Sequence, residues 1–188
     1  MGIIIFILIF VIILIWGILV RNNIVRFFNA TKRSWAEVAN FERQKVKTLE
    51  ALEETLQQYT QFEKSTLENV TRLRQQILTL DINNTDVLQL QKIEQLNKEL
   101  IKSLNVVVEN YPELQSDKLY TQMMSEIQQQ NENVGAAITI FNRNVEVFNN
   151  NIEVFPNNLV NAITLSKKII EPFSDGVVEK NFEYKPNF

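Results

Sequence analysis

YTQMMSEIQQQNENVGAAITIFNRNVEVFNNNIEVF, residues 120–155, carries apolar side chains at Tyr120, Met124, Ile127, Val134, Ile138, Phe141, Val145, Phe148, Ile152 and Phe155. Steps of four and three alternate along it, with Asn131 the one polar residue on the row. That period belongs to one face of an α-helix and not to a strand. Its end is nearly a direct heptad repeat, Phe141-Asn-Arg-Asn-Val-Glu-Val followed by Phe148-Asn-Asn-Asn-Ile-Glu-Val and then Phe155-Pro-Asn-Asn-Leu. Aromatic residues recurring at this spacing are expected to be core. Pro156 ends the helix and suits the first turn of a short further one, predicted to run to about Glu171 before Pro172.

Upstream the same logic gives two more helices. Between Gly17 and Pro112 the chain has neither Gly nor Pro. Trp35, Val38, Leu49, Leu52, Leu56, Tyr59, Val70, Leu73, Ile77 and Leu80 form an apolar seam, with Glu42, Lys45, Glu63 and Thr66 as interruptions. The first break signal is Asp81-Ile-Asn-Asn-Thr-Asp86, and Asp86 with Gln89 reads as a capping box opening a helix through Leu90, Ile93, Leu96, Leu100, Leu104 and Val107. Tyr111, preceding Pro112, is pushed out of the helical region and closes it. No stretch alternates with period two. The expected fold is all-α: an N-terminal transmembrane helix followed by an elongated antiparallel helical bundle of three long helices plus a short fourth. Helices of 40–50 residues, ~60–75 Å long, need partners along their length, within the chain or between chains.

The transmembrane assignment rests on Ile3–Val20, 18 residues without an ionisable side chain. As a helix this spans ~27 Å, against a hydrocarbon thickness of ~30 Å. It lacks the basic n-region and small-residue cleavage site of a signal peptide, and it is apolar on every side, unlike a core helix. Arg21, Arg26, Lys32 and Arg33 follow with no acid among residues 21–36, a local charge of +4. Taking that from the net −3 leaves −7 for residues 37–188. The basic collar is expected at the membrane surface and places the bundle in the cytoplasm with the N-terminus outside, a single pass through a bacterial inner membrane. The expected divisions are 1–2 as a short flank, 3–20 as the span, 21–36 as a basic juxtamembrane helix, 37–172 as the bundle and 173–188 as a tail. That tail, with Phe173, Phe182, Tyr184, Phe188, Lys180 and Lys185, is expected to dock on the bundle or lie at the membrane surface.

Composition narrows function. With no His and no Cys there is no Ser-His-Asp or Cys-His triad, and no imidazole or thiolate ligand. Four glycines, at 2, 17, 135 and 176, make neither a Walker A loop nor a GxGxxG turn. Net charge −3 gives no reason to expect nucleic acid. No cofactor and no enzymatic activity are expected, although carboxylate pairs are too plentiful to be judged by counting.

Read in order, the residues resemble the LemA family of bacterial membrane-anchored helical proteins. After the short span come Asn22-Asn23-Ile24-Val25 and Trp35, then Leu52, Leu56, Tyr59-x-x-Phe62-Glu63, Leu67-x-x-Val70 and Arg74. The second half carries Tyr111-Pro112-Glu113-Leu114, Glu132-Asn133, Phe141-Asn142-x-x-Val145, Phe148-Asn149 and Phe155-Pro156. The chain departs from the family in having Phe141 and Phe148 where Tyr precedes each Asn, and Ile138 in the region where an Arg is usual. The resemblance implies an elongated bundle tethered by one span, without established enzymatic activity. Relatives in magnetosome-forming bacteria are linked to membrane invagination, which implies membrane organisation as a general role.

Five residues are singled out as a candidate self-association or partner face: Asn131, Asn142, Asn149, Glu63 and Arg74. Asn131 on an apolar seam either fixes register and oligomer state or bonds a neighbour inside a monomeric bundle. Asn142 and Asn149, seven apart, lie on one helix face and either grip another helix or meet water. Glu63 and Arg74 read as partner residues or as an ordinary ion pair. The expected function is a membrane-anchored scaffold that self-associates and organises the bilayer. The alternatives are a monomeric tethered adaptor recruiting another protein through its third helix, and a carboxylate hydrolase.

Overall fold

A computed structural model describes residues 1–59 and 64–174. Glu63 and Phe62, and the tail residues Phe182, Tyr184, Phe188, Lys180 and Lys185, lie outside the described residues. Six helices are present among those described: α1 (Gly2–Tyr59), α2 (Lys64–Thr79), α3 (Val87–Asn110), α4 (Pro112–Gln115), α5 (Lys118–Glu153) and α6 (Asn157–Thr164). None of the described residues is in a strand, so the fold is all-α as expected. The described residues group into two compact units, Met1–Ser34 with Ile140–Pro172, and Trp35–Thr139 with Phe173 and Ser174.

The first unit contains the apolar segment. α1 begins at Gly2 and continues past Val20 without interruption, since neither Gly nor Pro intervenes beyond Gly17. Large side chains from Ile3 to Leu19 are exposed all round the helix, which excludes a buried core helix and leaves a segment long and apolar enough to cross a membrane. Beyond it, Ile24 packs with Phe148 and Ile152, flanked by Val20, Phe27, Phe28, Leu165 and Ile170. The Phe28 and Phe148 rings are tilted with centroids 5.5 Å apart. Thr31 Oγ1 donates to the Asn144 carbonyl at 3.1 Å and ties α1 to α5.

The short final helix ends at Thr164 and not near Glu171. The N–H groups of Leu165 and Ser166 both donate to the Asn161 carbonyl, and Ser166 takes a left-handed φ of 50°. The chain then runs extended. Asn161 donates to the Lys167 carbonyl and accepts from its N–H, and Asn149 holds Ile170 in the same two-sided way. Two buried or half-buried amides satisfy backbone groups that a longer helix would have paired internally. Phe155, expected in the core, is 77% exposed. α5 ends at Glu153, so Phe155 has left the helical face that buries Phe141 and Phe148.

In the second unit the sequence expectation of one long first helix needs correction. α1 ends at Tyr59 and α2 returns antiparallel beside it. Trp35 Nε1 donates to the Asp81 carbonyl at 2.9 Å, and Arg43 Nη2 donates to the Leu80 carbonyl at 2.9 Å. Farther along, Thr71 donates to Glu53 at 2.9 Å. A hairpin lets Leu49, Leu52 and Leu56 bury themselves within the chain along with Val70, Leu73 and Ile77. Residues 60–63, between the two helices, lie outside the described set. Asp86 caps α3 by accepting from the Gln89 N–H at 2.9 Å, whereas the Gln89 side chain reaches Thr79 and the Gln76 carbonyl, so only half of the capping box forms. Tyr111 closes α3 as expected, with φ −128° and ψ 77°. On α5, Met123 and Ala137 are buried, with Met124 and Ile138 at the margin of the same face.

Candidate functional site

Val38, Glu42, Lys45, Leu49, Leu52 and Leu56 step along α1 by four and three, and every one of them is buried. The two charges read as interruptions of the seam are therefore part of it. Glu42 and Lys45 are both 0% exposed, with Lys45 Nζ 2.9 Å from Glu42 Oε2. Lys45 Nζ donates its hydrogen bond to Asn131 Oδ1 on α5 at 3.0 Å, and neither carboxylate oxygen of Glu42 receives one.

Sealing an ionised carboxylate from water costs several kcal/mol unless attraction and hydrogen bonds offset it. Here burial dominates, Lys45 opposes it, and Glu94 on α3 adds a like charge, so the Glu42 pKa is pushed up to about 7. The orphaned oxygens of ionised Glu42 and its raised pKa thus describe one arrangement, a buried carboxyl better accommodated neutral than charged.

The sign of the pH dependence follows. Folded Glu42 keeps its proton to higher pH than unfolded Glu42, so the folded chain binds more protons between pH 4.5 and about 7. Its contribution is full below the unfolded value and is lost as pH rises through the folded one, a swing of up to about 3 kcal/mol. Asp81 works in the opposite sense at lower pH, because the Asn83 N–H and the Asn84 amide hold its pKa down. Thermal melts between pH 5 and pH 8 isolate Glu42. Stability is expected to fall across that interval, and Glu42→Gln to flatten it; an equal fall in the variant would refute the assignment.

Further rungs join α1 to α5 beside the pair. Gln130 Nε2 donates to Thr48 Oγ1 at 3.2 Å, and Thr48 Oγ1 donates to Glu126 Oε2 at 3.4 Å. Arg74 on α2 bridges Glu53 and Glu50 of α1, the latter at 2.6 Å. Its partners are intrachain, and at half-exposed positions such a bridge contributes little. Among the described residues no three His, Cys, Asp or Glu converge as metal ligands.

Of the residues singled out from the sequence, Asn131 accepts from Lys45 and Asn149 brackets Ile170, so both amides are engaged within the chain. Asn142 is half-buried and also has an interaction of its own. Arg21, Arg26, Lys32 and Arg33 are all exposed. The Arg26 guanidinium lies 5.3 Å from the Phe27 ring centre and the Lys32 ammonium 5.7 Å from that of Phe28. Glu42, Lys45 and Glu94 were missed. The available signal was a pair of opposite charges at i and i+3 falling in step with the apolar seam.

The family model that matches this chain is the LemA family, over residues 34–174. The chain belongs to the LemA family. The match opens one residue before Trp35 and includes the whole buried cluster, whereas Asn22-Asn23-Ile24-Val25 and the apolar segment lie ahead of it. A similar relative is Protein LemA of Metamycoplasma hominis, 28% identical over 123 residues, which are 65% of this chain and 54% of the relative. The chain therefore spans about half the length of that LemA protein.

Proposed function

We propose that this LemA-family chain is a membrane-tethered, non-enzymatic helical module that organises the membrane surface on which it stands. The observation carrying this reading is α1 itself, in which a segment apolar on all sides continues as one helix into Ile24, Phe27 and Phe28, which pack with Phe148 and Ile152 of the same unit. A helix without a break transmits its orientation, whereas a flexible linker would not. The exposed basic collar supports a cytoplasmic position in a bacterial inner membrane. A structural role for the buried cluster is supported by the complete sealing of Glu42 and Lys45, which no substrate reaches.

Two forms of the role differ in assembly: a scaffold that self-associates, and a single-copy adaptor that recruits another protein. The internal engagement of Asn131 and Asn149 favours the adaptor, because those amides are not free to cross to another copy. The span supports the same choice, since its Ile, Leu and Phe residues lack the repeated small residues that bring membrane helices close. Light scattering in mild detergent, corrected for the micelle, is expected to return the mass of one chain. A discrete oligomer would restore the scaffold. Single-Cys variants at positions 2 and 117 are expected to label from outside and from inside respectively, and outside labelling at 117 would overturn the cytoplasmic placement.

A further inference from the structure

α6 is built inside out for a helix in water. Its inward residue is polar Asn161, 8% exposed and bracing Lys167, whereas Leu159 and Ile163 face outward at 53% and 82% exposure. Phe155, two residues ahead of α6, is exposed as well, at 77%. A soluble surface helix has the reverse arrangement. The position of these residues in their own unit is equally specific. Asn157, the first residue of α6, lines one groove with Trp16, Leu19, Asn22 and Arg26 of α1, where the apolar segment gives way to the basic collar. The chain after α6 packs Leu165 and Ile170 against the cluster of Ile24, Phe148 and Ile152, which Val20 also joins, and Lys167 Nζ stands 3.8 Å over the Phe28 ring. α6 is thus held beside the end of the apolar segment, at the depth where a bilayer's hydrocarbon meets its headgroups.

We propose that Leu159 and Ile163 of α6, with Phe155 just ahead of the helix, insert into the bilayer as a second, interfacial membrane contact. The occupant is a lipid surface. These residues adjoin the apolar segment through the groove that Asn157 shares with Leu19 and Arg26, and exposed Arg26 there supplies charge that complements anionic headgroups. The inference rests on the proposed membrane anchoring. With the span and α6 both engaged, the juxtamembrane unit is fixed to the surface at two points, which a single span does not accomplish.

The test uses the full chain, which has no native Cys, in phosphatidylcholine–phosphatidylglycerol vesicles. A polarity-sensitive fluorophore is placed in turn at Ile163→Cys, at Phe10→Cys in the apolar segment and at Glu146→Cys on an exposed polar position of the same unit. The expected result is a blue-shifted emission at 163, lost iodide quenching and strong quenching by shallow nitroxide lipids, with 146 remaining open to iodide. A label at 163 as accessible to iodide as that at 146, with the label at 10 in lipid, would overturn the α6 contact and leave the anchor standing. Labels at 10 and 163 both in water would overturn both. Repeating the measurement in nanodiscs holding one copy separates a second chain from lipid: protection is expected to persist, and its loss there would assign these residues to a second copy and defeat the proposal.

Discussion

Replacing Lys45 by Met is expected to destabilise the folded chain increasingly as pH rises, while replacing Glu42 by Leu and Lys45 by Met together is expected to stabilise it. Breaking a buried pair on one side costs about 3–5 kcal/mol when the remaining charge cannot neutralise. Glu42 can take up a proton, and its pKa, already raised to about 7 with Lys45 present, rises further without it. The loss at pH 8 is therefore capped at about 1–2 kcal/mol and grows by about 1.4 kcal/mol for each further pH unit until Glu42 ionises. The double replacement removes both desolvated charges and leaves the half-buried Asn131 free to turn toward water. A gain of about 1–4 kcal/mol at pH 8, with little pH dependence, is the expected result. Melts followed by circular dichroism at pH 6, 8 and 9 check both variants. A double variant less stable than the Lys45 single at pH 9 would show that the pair is a net contributor to stability, and would refute this reading.

The second large effect is at Trp35. Its side chain is fully buried, and its indole N–H satisfies the Asp81 carbonyl where the chain leaves α2. Trp35→Ala empties the space of the largest fully buried side chain and removes the donor to the Asp81 carbonyl, for an expected loss of about 3–5 kcal/mol. Trp35→Phe keeps most of the volume and loses the hydrogen bond, with an expected loss of about 1–2 kcal/mol. Denaturant midpoints of the full chain in detergent distinguish the two. If both variants lose the same amount, the indole hydrogen bond dominates and packing at this position contributes little.

The pairing at residues 35 and 81 also explains where reading the sequence fell short. Every interval from Trp35 to Leu80 is compatible with one helix, and without Gly or Pro nothing local marks the end of α1 at Tyr59 or the start of α2 at Lys64. The hairpin is set by the partner each apolar stripe finds, through contacts that link Arg43 to Leu80 and Glu53 to Thr71. Asn131 shows the same division. Its position on the seam was legible, and it left two partners open, another chain or its own. The donor is Lys45, 86 residues away in sequence. Phe155 erred the other way, because the heptad pattern outlasted the helix by two residues.

By itself the sequence determined what depends on neighbours along the chain. Those features are the helical class from its three-four period, the apolar segment and its basic collar, the Asp86 cap, the stop before Pro112 and the end of α5 ahead of Pro156. Each follows from backbone sterics, local hydrogen bonding or transfer from water over a few turns. Tertiary structure alone decided the hairpin of α1 and α2, the burial of Glu42 and Lys45, the two-sided grips of Asn149 and Asn161, and the outward apolar row of α6. The physical reason is common to all four. Burial and hydrogen-bond satisfaction are properties of which faces meet, and residues far apart in sequence meet only when the chain has folded.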